Sequence, residues 1–461
     1  MERLGTKALL TTLGDWGKET TSLQAGLVAA FRSAITSGDL QPGTVLPAER
    51  TLARALGVSR STVTASLAEL KRLEVLVARH GSGTVVAGGD GAIARSVLEP
   101  IDLASSSPAD SQSLPDVEVD VDALLRAGSG QGHFPAGLAE LRDAVAARFT
   151  EDGVDSVGAE VLITNGAQHA MALAFAHLTQ PGDRVIVDEP TYPGVVDLLA
   201  ARGLVAVPLP RIAGAIELAG LRRLAIESGA TVAYLQTSVH NPTGFVATDD
   251  DLNQLAKLID ELGLTVVEDL VLADLRFDGS RPRPVAARVS SATVVVVGSV
   301  SKLGWGGLRI GWLRAPEQMV AELIRTRLAD DLGSSVPSQV ISVAVLNDFD
   351  VIVDSRQRTL ARRANLARDQ IADRCPHWTV HEPGGGLSLW IDLHHDATDL
   401  TEAARQAGVI VATGLIASVV GGEGPARHLR LCFDRPESRL VEGLDRLITA
   451  DQTYQSRLKQ R

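Results

Sequence analysis

Two cysteines in 461 residues, Cys375 and Cys432, stand far apart and outside any metal-ligand spacing, so neither disulfides nor zinc are indicated and a reducing compartment suits the chain. Long apolar runs are missing too. Nothing approaches the roughly 20 residues that cross a bilayer, and the opening MERLGTKALLTTLGDWG lacks the sustained apolar stretch of a signal peptide. These absences lead us to expect a cytoplasmic chain with no membrane partner and no bound metal. Basic charge is also short: the net charge of −12 argues against nucleic-acid binding over the whole surface. The shortage is uneven, however. Residues 1–90 hold ten Lys/Arg against eight Asp/Glu, a net of +2 that leaves −14 for the remainder, so any DNA-binding face belongs to the first ninety residues. Lysine is scarcer still beyond them, where only Lys257, Lys302 and Lys459 occur. Lys257 sits in an amphipathic helical pattern and Lys459 in a polar tail, which leaves Lys302 as the lysine free for chemistry.

What is present is a globular composition, 45% hydrophobic and 22% charged, with length for two or three domains. The stretch around Lys302 is the most informative. Thr293–Val297 is an unbroken β-branched run, as expected of a strand buried on both faces. Ser299, Ser301 and Lys302 follow at its carboxyl end, and Gly306-Gly307-Leu308-Arg309 adds a guanidinium seven residues after the lysine. Two hydroxyls, a guanidinium and an amine make a small anion site beside a nucleophile. Pyridoxal 5′-phosphate requires that combination, because a lysine must form a Schiff base with its aldehyde while serine and arginine hold its phosphate.

In the first ninety residues, Ser22 is placed to cap a helix with Leu23, Leu27, Ala30, Phe31 and Ile35 at helical spacing, and Gly38 to end it. A second helix follows Leu46-Pro47 and breaks at Gly57-Val58. Ser59 caps a third, with Val63, Leu67 and Leu70 on one stripe and Arg60, Ser61 and Thr64 outward. Two helices joined by a glycine-containing turn form the helix-turn-helix that enters a major groove. The runs on either side of Gly81-Ser82-Gly83 read as a β-hairpin wing. Together, Gly38-Asp39-Leu40-x-Pro42-Gly43, Leu46-Pro47-Ala48-Glu49-Arg50, Leu56-Gly57-Val58-Ser59-Arg60-x-Thr62-Val63 and Gly81-Ser82-Gly83-Thr84 resemble the winged helix-turn-helix of GntR-type repressors. The resemblance implies that Arg50, Arg60, Ser61 and Thr62, with His80 and Gly81 in the wing, contact DNA. Each arginine suits a phosphate or a guanine edge.

Ala87-Gly88-Gly89-Asp90-Gly91 has the composition of a flexible connector, and from Pro135 onward helical stretches alternate with short apolar runs. That alternation predicts a mostly parallel sheet between helices, with ligands beyond the carboxyl ends of its strands. Gly166-Ala167-Gln168, Tyr192, Asn241, Asp269 and Lys302 each fall at such an end. The pattern Ser299-x-x-Lys302 with Gly307-x-Arg309-x-Gly311-Trp312, and the order of the other residues, resemble the class I/II aminotransferases of fold type I over the rest of the chain. The resemblance implies that Gly166 and the amides of Ala167 and Gln168, together with Ser299, Ser301 and Arg309, hold the cofactor phosphate. Asp269 would pair with the pyridine nitrogen, Asn241 with the ring hydroxyl, and Tyr192 would stack on the ring. Arg430, in the strand-like His428–Phe433, would grip an effector or substrate carboxylate. Ser105–Ser111 reads as a loop over the cleft or as further linker.

A GntR-type winged helix joined to an aminotransferase-like domain resembles the MocR/GabR-type transcriptional regulators. The expected fold is therefore multidomain: an α+β winged helix-turn-helix at residues 1–87, a linker at 88–100, and an α/β fold type I domain at 101–461. By resemblance the partners are operator DNA, a second copy bound through the large domain, and a B6 vitamer or other amino compound as effector. Two departures bear on catalysis. Leu270-Val271-Leu272 stands where the family places a tyrosine that bonds the cofactor hydroxyl, and Gly132-His133-Phe134 lacks a tyrosine that reaches the partner's phosphate, a role His133 would inherit. Both favour a regulator capable of at most a half-reaction over an aminotransferase with an N-terminal appendage.

Overall fold

The computed structural model describes residues 6–14, 16, 23–36, 40, 43–72, 76–79, 83–86, 100–106, 132–212, 214–281 and 283–458. The chain divides into two compact units, Met1–Ile101 with Ala403–Val409, and Asp102–Glu402 with Ile410–Arg461.

In the smaller unit α1 (Thr6–Leu13), α2 (Leu23–Thr36), α3 (Glu49–Leu56) and α4 (Arg60–Arg72) precede the hairpin β1 (Leu76–Arg79) and β2 (Gly83–Val86), which is antiparallel with Arg79 opposite Gly83. The helices form because their apolar residues recur on one face. Leu27, Phe31, Ile35, Leu52, Val63, Leu67 and Leu70 meet in one core. Leu23 is the exception, 49% exposed at the first position of α2. α1 was not anticipated; Leu9 and Leu13 bury in the same core. Gly57 closes α3 at φ +66, a left-handed cap that an L side chain rarely adopts. The Ser59 hydroxyl accepts from the Thr62 amide at 3.0 Å and so caps α4. Val45 bridges to Val85, so the wing carries an additional short edge. The expected cap Ser22, the helix end at Gly38, Pro42, the wing residues His80 and Gly81, and the connector up to residue 99 lie outside the described residues.

The larger unit is built on an eight-stranded sheet. In chain order its strands are β3 (Val161–Thr164), β4 (Arg184–Glu189), β5 (Val205–Ile212), β6 (Ala215–Ile216), β7 (Val232–Leu235), β8 (Thr265–Asp269), β9 (Val294–Ser299) and β10 (Gly311–Arg314). In space they run β3-β10-β9-β8-β7-β4-β5-β6, with β6 and β10 antiparallel to their neighbours. β7 and β9 in the interior of the sheet, and β3 at its edge, are buried along their whole length, which is why their sequences are apolar runs rather than alternations. β5 and β10 were not legible beforehand. β5 contains Pro208 and Pro210, which normally argue against a strand but are tolerated near the sheet edge, and β10 is hidden within the Gly-rich motif after Lys302. A second, antiparallel sheet orders Thr379–Val380, Ser388–Asp392, His428–Cys432 and Ala412–Thr413.

Candidate functional site

One cavity of the larger unit is lined by Ala167, Gln168, Tyr192, Asn241, Asp269, Ser299, Ser301, Lys302 and Arg309. Every cofactor residue expected from sequence is therefore in one place except Gly166, which lies immediately behind the lining. A Cβ on Gly166 would fall 2.7 Å from Arg309 Nη2, and its φ of +83 is a glycine conformation.

At one end of the cavity is an anion cradle. α5 (Ala167–Leu178) begins after its N-cap Gly166, and the amides of Ala167 and Gln168 open its first turn, where a helix offers no carbonyl four residues back. Arg309 is itself left-handed at φ +53, and its Nη2 donates to the Asn165 carbonyl at 3.0 Å. Asn165 in turn donates to Asp331 at 2.8 Å, and Asp331 pairs at 2.6 Å with Arg327, whose side chain is fully buried. The Ser299 hydroxyl donates to the Ile310 carbonyl at 2.7 Å and stands 2.8 Å from the Ser301 hydroxyl.

Asp269, at the carboxyl terminus of β8, lines the same cavity. Its Oδ1 accepts from the Val271 amide at 2.9 Å and its Oδ2 from the Tyr234 hydroxyl at 2.5 Å. Burial raises its pKa, while the Tyr234 and Val271 bonds and then Lys302 oppose that rise. Lys302 is half-buried, and burial first, then the Arg430 guanidinium, lower its pKa, which favours the neutral, nucleophilic amine.

Several positioning residues carry no motif. Gln236 clamps the Asn241 backbone from both sides, donating to its carbonyl at 3.1 Å and accepting from its amide at 2.9 Å. Arg356, buried on the helix Phe349–Arg374, donates to the Lys302 carbonyl at 3.2 Å while paired with Asp434 at 2.6 Å. Tyr234 and Arg356 sit within ordinary strand and helix patterns, so only a buried ionisable group in an apolar run hinted at them. Leu272 lines the cavity where a family tyrosine was missed, and His133 is exposed and outside the lining. Arg430 is buried and also outside the lining, its Nη2 on the Ser106 hydroxyl.

In the smaller unit Arg50, Arg60 and Ser61 are exposed and Thr62 is half-buried. The Ser61 and Thr62 hydroxyls each lie 2.7 Å from the Ser59 hydroxyl.

A sequence model of aminotransferase class I and II matches residues 99–447. The chain belongs to that family. A model of bacterial regulatory proteins of the gntR family matches residues 23–86, and the fusion of the two is a MocR-like architecture. This class I and II aminotransferase family member is 28% identical over 461 residues to the uncharacterized HTH-type transcriptional regulator YdcR of Escherichia coli (strain K12), covering 92% of this chain and 98% of that one. It is 25% identical over 426 residues to the uncharacterized HTH-type transcriptional regulator YisV of Bacillus subtilis (strain 168), covering 83% and 87%. The crystal structure of LysN, the alpha-aminoadipate aminotransferase of Thermus thermophilus complexed with N-(5′-phosphopyridoxyl)-L-leucine, shares the fold at a TM-score of 0.70 and 24% identity, covering 77% of this chain and 93% of that one.

Pyridoxal 5′-phosphate is the cofactor of this fold, and the cavity fits it. The Asn241 Oδ1 is buried with no hydrogen-bond partner among the described residues, a cost that a ligand donor would remove. The cradle of first-turn amides, hydroxyls and Arg309 suits a phosphate, and the amine and carboxylate lie beyond it in the same cavity.

Proposed function

We propose that this protein is a pyridoxal phosphate-dependent, DNA-binding transcriptional regulator. It comprises a winged helix-turn-helix at residues 1–87, a linker at 88–100 and an effector domain at 101–461, and works as a homodimer through the large domain. The observation that carries the reading is the convergence of Lys302, Asp269, Asn241 and the phosphate cradle on one cavity in a chain that also holds a helix-turn-helix. The names of the relatives YdcR and YisV support it.

When bound, pyridoxal phosphate supplies an aldehyde that condenses with amines and a ring that withdraws electrons from the carbon so attached. Lys302 is the protein amine. Gly166, Ala167, Gln168, Ser299, Ser301 and Arg309 hold the phosphate, Asn241 bonds the ring hydroxyl, Tyr192 covers the ring face and Asp269 keeps the ring nitrogen protonated. Tyr234 and Val271 fix the Asp269 carboxylate by filling one position on each oxygen. Arg50, Arg60, Ser61, Thr62, His80 and Gly81 face DNA, and the effector is a B6 vitamer or another amino compound.

An aminotransferase with an appended winged helix is the second reading, favoured by the presence of Lys302, Asp269, Asn241 and Arg309 in one cavity. Mixing the protein with pyridoxal phosphate, an amino donor and a keto acid separates the two. A regulator exchanges at most one equivalent of amino group and stops; sustained turnover establishes the enzyme instead.

A further inference from the structure

Arg430 is the cleft residue that the chain has already engaged. The residue is 5% exposed, with Nη2 on the Ser106 hydroxyl, Nη1 3.4 Å from the Ala104 carbonyl and Nε buried without a partner among the described residues. Ser106 lines the cavity and Arg430 does not, so the serine stands between the guanidinium and the cofactor space. The same serine reaches the other cation, its carbonyl accepting from Lys302 Nζ at 3.1 Å.

The segment that delivers Ser106 is anchored. Asp102 Oδ1 accepts from the amides of Ala104 and Ser105 at 2.8 and 2.9 Å. Arg435 donates to the carbonyls of Asp102 and Ser105 at 2.6 and 2.8 Å, and the Cys432 amide donates to the Leu103 carbonyl at 2.7 Å. Four residues in succession are thus tied to the strand that carries Arg430 or to its continuation. A carboxylate seeking the guanidinium fork must displace a neutral hydroxyl held by this pinned segment, and bidentate geometry needs the donors that the segment covers.

Resting on the pyridoxal phosphate reading above, we propose that Ser106 is a specificity-determining residue. It caps Arg430 in place of a ligand carboxylate, so the cleft selects primary amines without regard to an α-carboxylate. The predicted ligand class is a simple amine or the cofactor itself rather than an α-amino acid.

Ethylamine and L-alanine differ by one carboxylate and test this directly. The full-length protein loaded with pyridoxal phosphate is titrated with each, compared at equal free-base concentration, and followed by the shift of the cofactor's visible band. The wild type should bind the two within about 3-fold. Ser106→Gly should tighten L-alanine about 10-fold or more, the weight of one charge-assisted hydrogen bond, and leave ethylamine within about 3-fold. Arg430→Gln in the Ser106→Gly background should cancel the gain; Ser106→Ala provides the same readout should the glycine variant lose the cofactor band. A wild type that already prefers L-alanine about 10-fold overturns the proposal without any variant, as does a Ser106→Gly or Ser106→Ala protein with unchanged preference. Absence of any visible band on adding pyridoxal phosphate would instead remove the cofactor reading beneath it.

Discussion

Replacing Asp434 by asparagine tests whether Lys302 is positioned through a buried charge network. Asp434 accepts from Arg356 at 3.1 and 2.6 Å and from Arg363 at 2.7 Å, with its side chain 1% exposed and those of the arginines 3% and 11% exposed. Asp434→Asn is nearly isosteric but strands two guanidiniums without a counter-charge. Removing one partner from a buried ion pair costs about 3–5 kcal/mol, because the remaining charge stays desolvated. Urea unfolding of the cofactor-free protein, followed by tryptophan fluorescence, reports chiefly on the larger unit, since Trp305, Trp312, Trp378 and Trp390 all lie there. The variant should lose that stability. It should also bind pyridoxal phosphate more weakly, because Arg356 holds the Lys302 carbonyl. A variant within about 1 kcal/mol of wild type, the scale of an ordinary surface pair, and with unchanged cofactor affinity, would refute the network.

Gly166→Ala should weaken pyridoxal phosphate binding about 10-fold or more, since backbone strain of roughly 1–3 kcal/mol adds to the displacement of Arg309; a fluorescence titration matching wild type would count against the cradle. Arg60→Ala should weaken binding of full-length protein to the DNA upstream of its gene and lower the salt slope by about one, and an unchanged slope removes Arg60 from the phosphate contacts. For Asp392, burial alone would raise the carboxyl, but Arg427 and the His394 amide hold it down to about 2 from a normal 3.8. A depressed carboxylate stabilises the fold above the normal value and loses that contribution as pH falls from about 4 to 2, so the melting-temperature gap between wild type and Asp392→Asn should close across that window; a constant gap excludes the linkage.

The sequence was most readable where chemistry and chain direction coincide. The buried strands run at most two residues past their apolar runs, so Asp269 could be placed at the end of one and Lys302 just beyond another from pattern, and both line the cavity. The Leu27-Phe31-Ile35 spacing was equally plain, because a helix with one covered face repeats it. What stayed hidden was tertiary. Tyr234 resembles any strand aromatic until its hydroxyl is found 35 residues downstream on Asp269. Asp434 and Arg356 lie in unremarkable stretches, and their pairing depends on how two distant segments meet. Arg430 shows the same limit in reverse: its place on the strand was legible, but its occupation by Ser106, 324 residues away in sequence, was not.

As a regulator, the protein must couple its cofactor site to its DNA-binding unit. A ligand shifts a binding equilibrium only through a difference in its affinity for two states of the protein, and such couplings usually amount to about 1–3 kcal/mol. The decisive measurement is titration of the DNA upstream of the gene with full-length protein, cofactor-free and loaded with pyridoxal phosphate, at fixed salt. Affinity should change roughly 5- to 150-fold between the two forms, and less in Lys302→Ala, whose cofactor can no longer be fixed to the chain by borohydride. Equal affinity of the two forms, together with sustained turnover of an amino donor and a keto acid, would contradict that coupling and leave an aminotransferase.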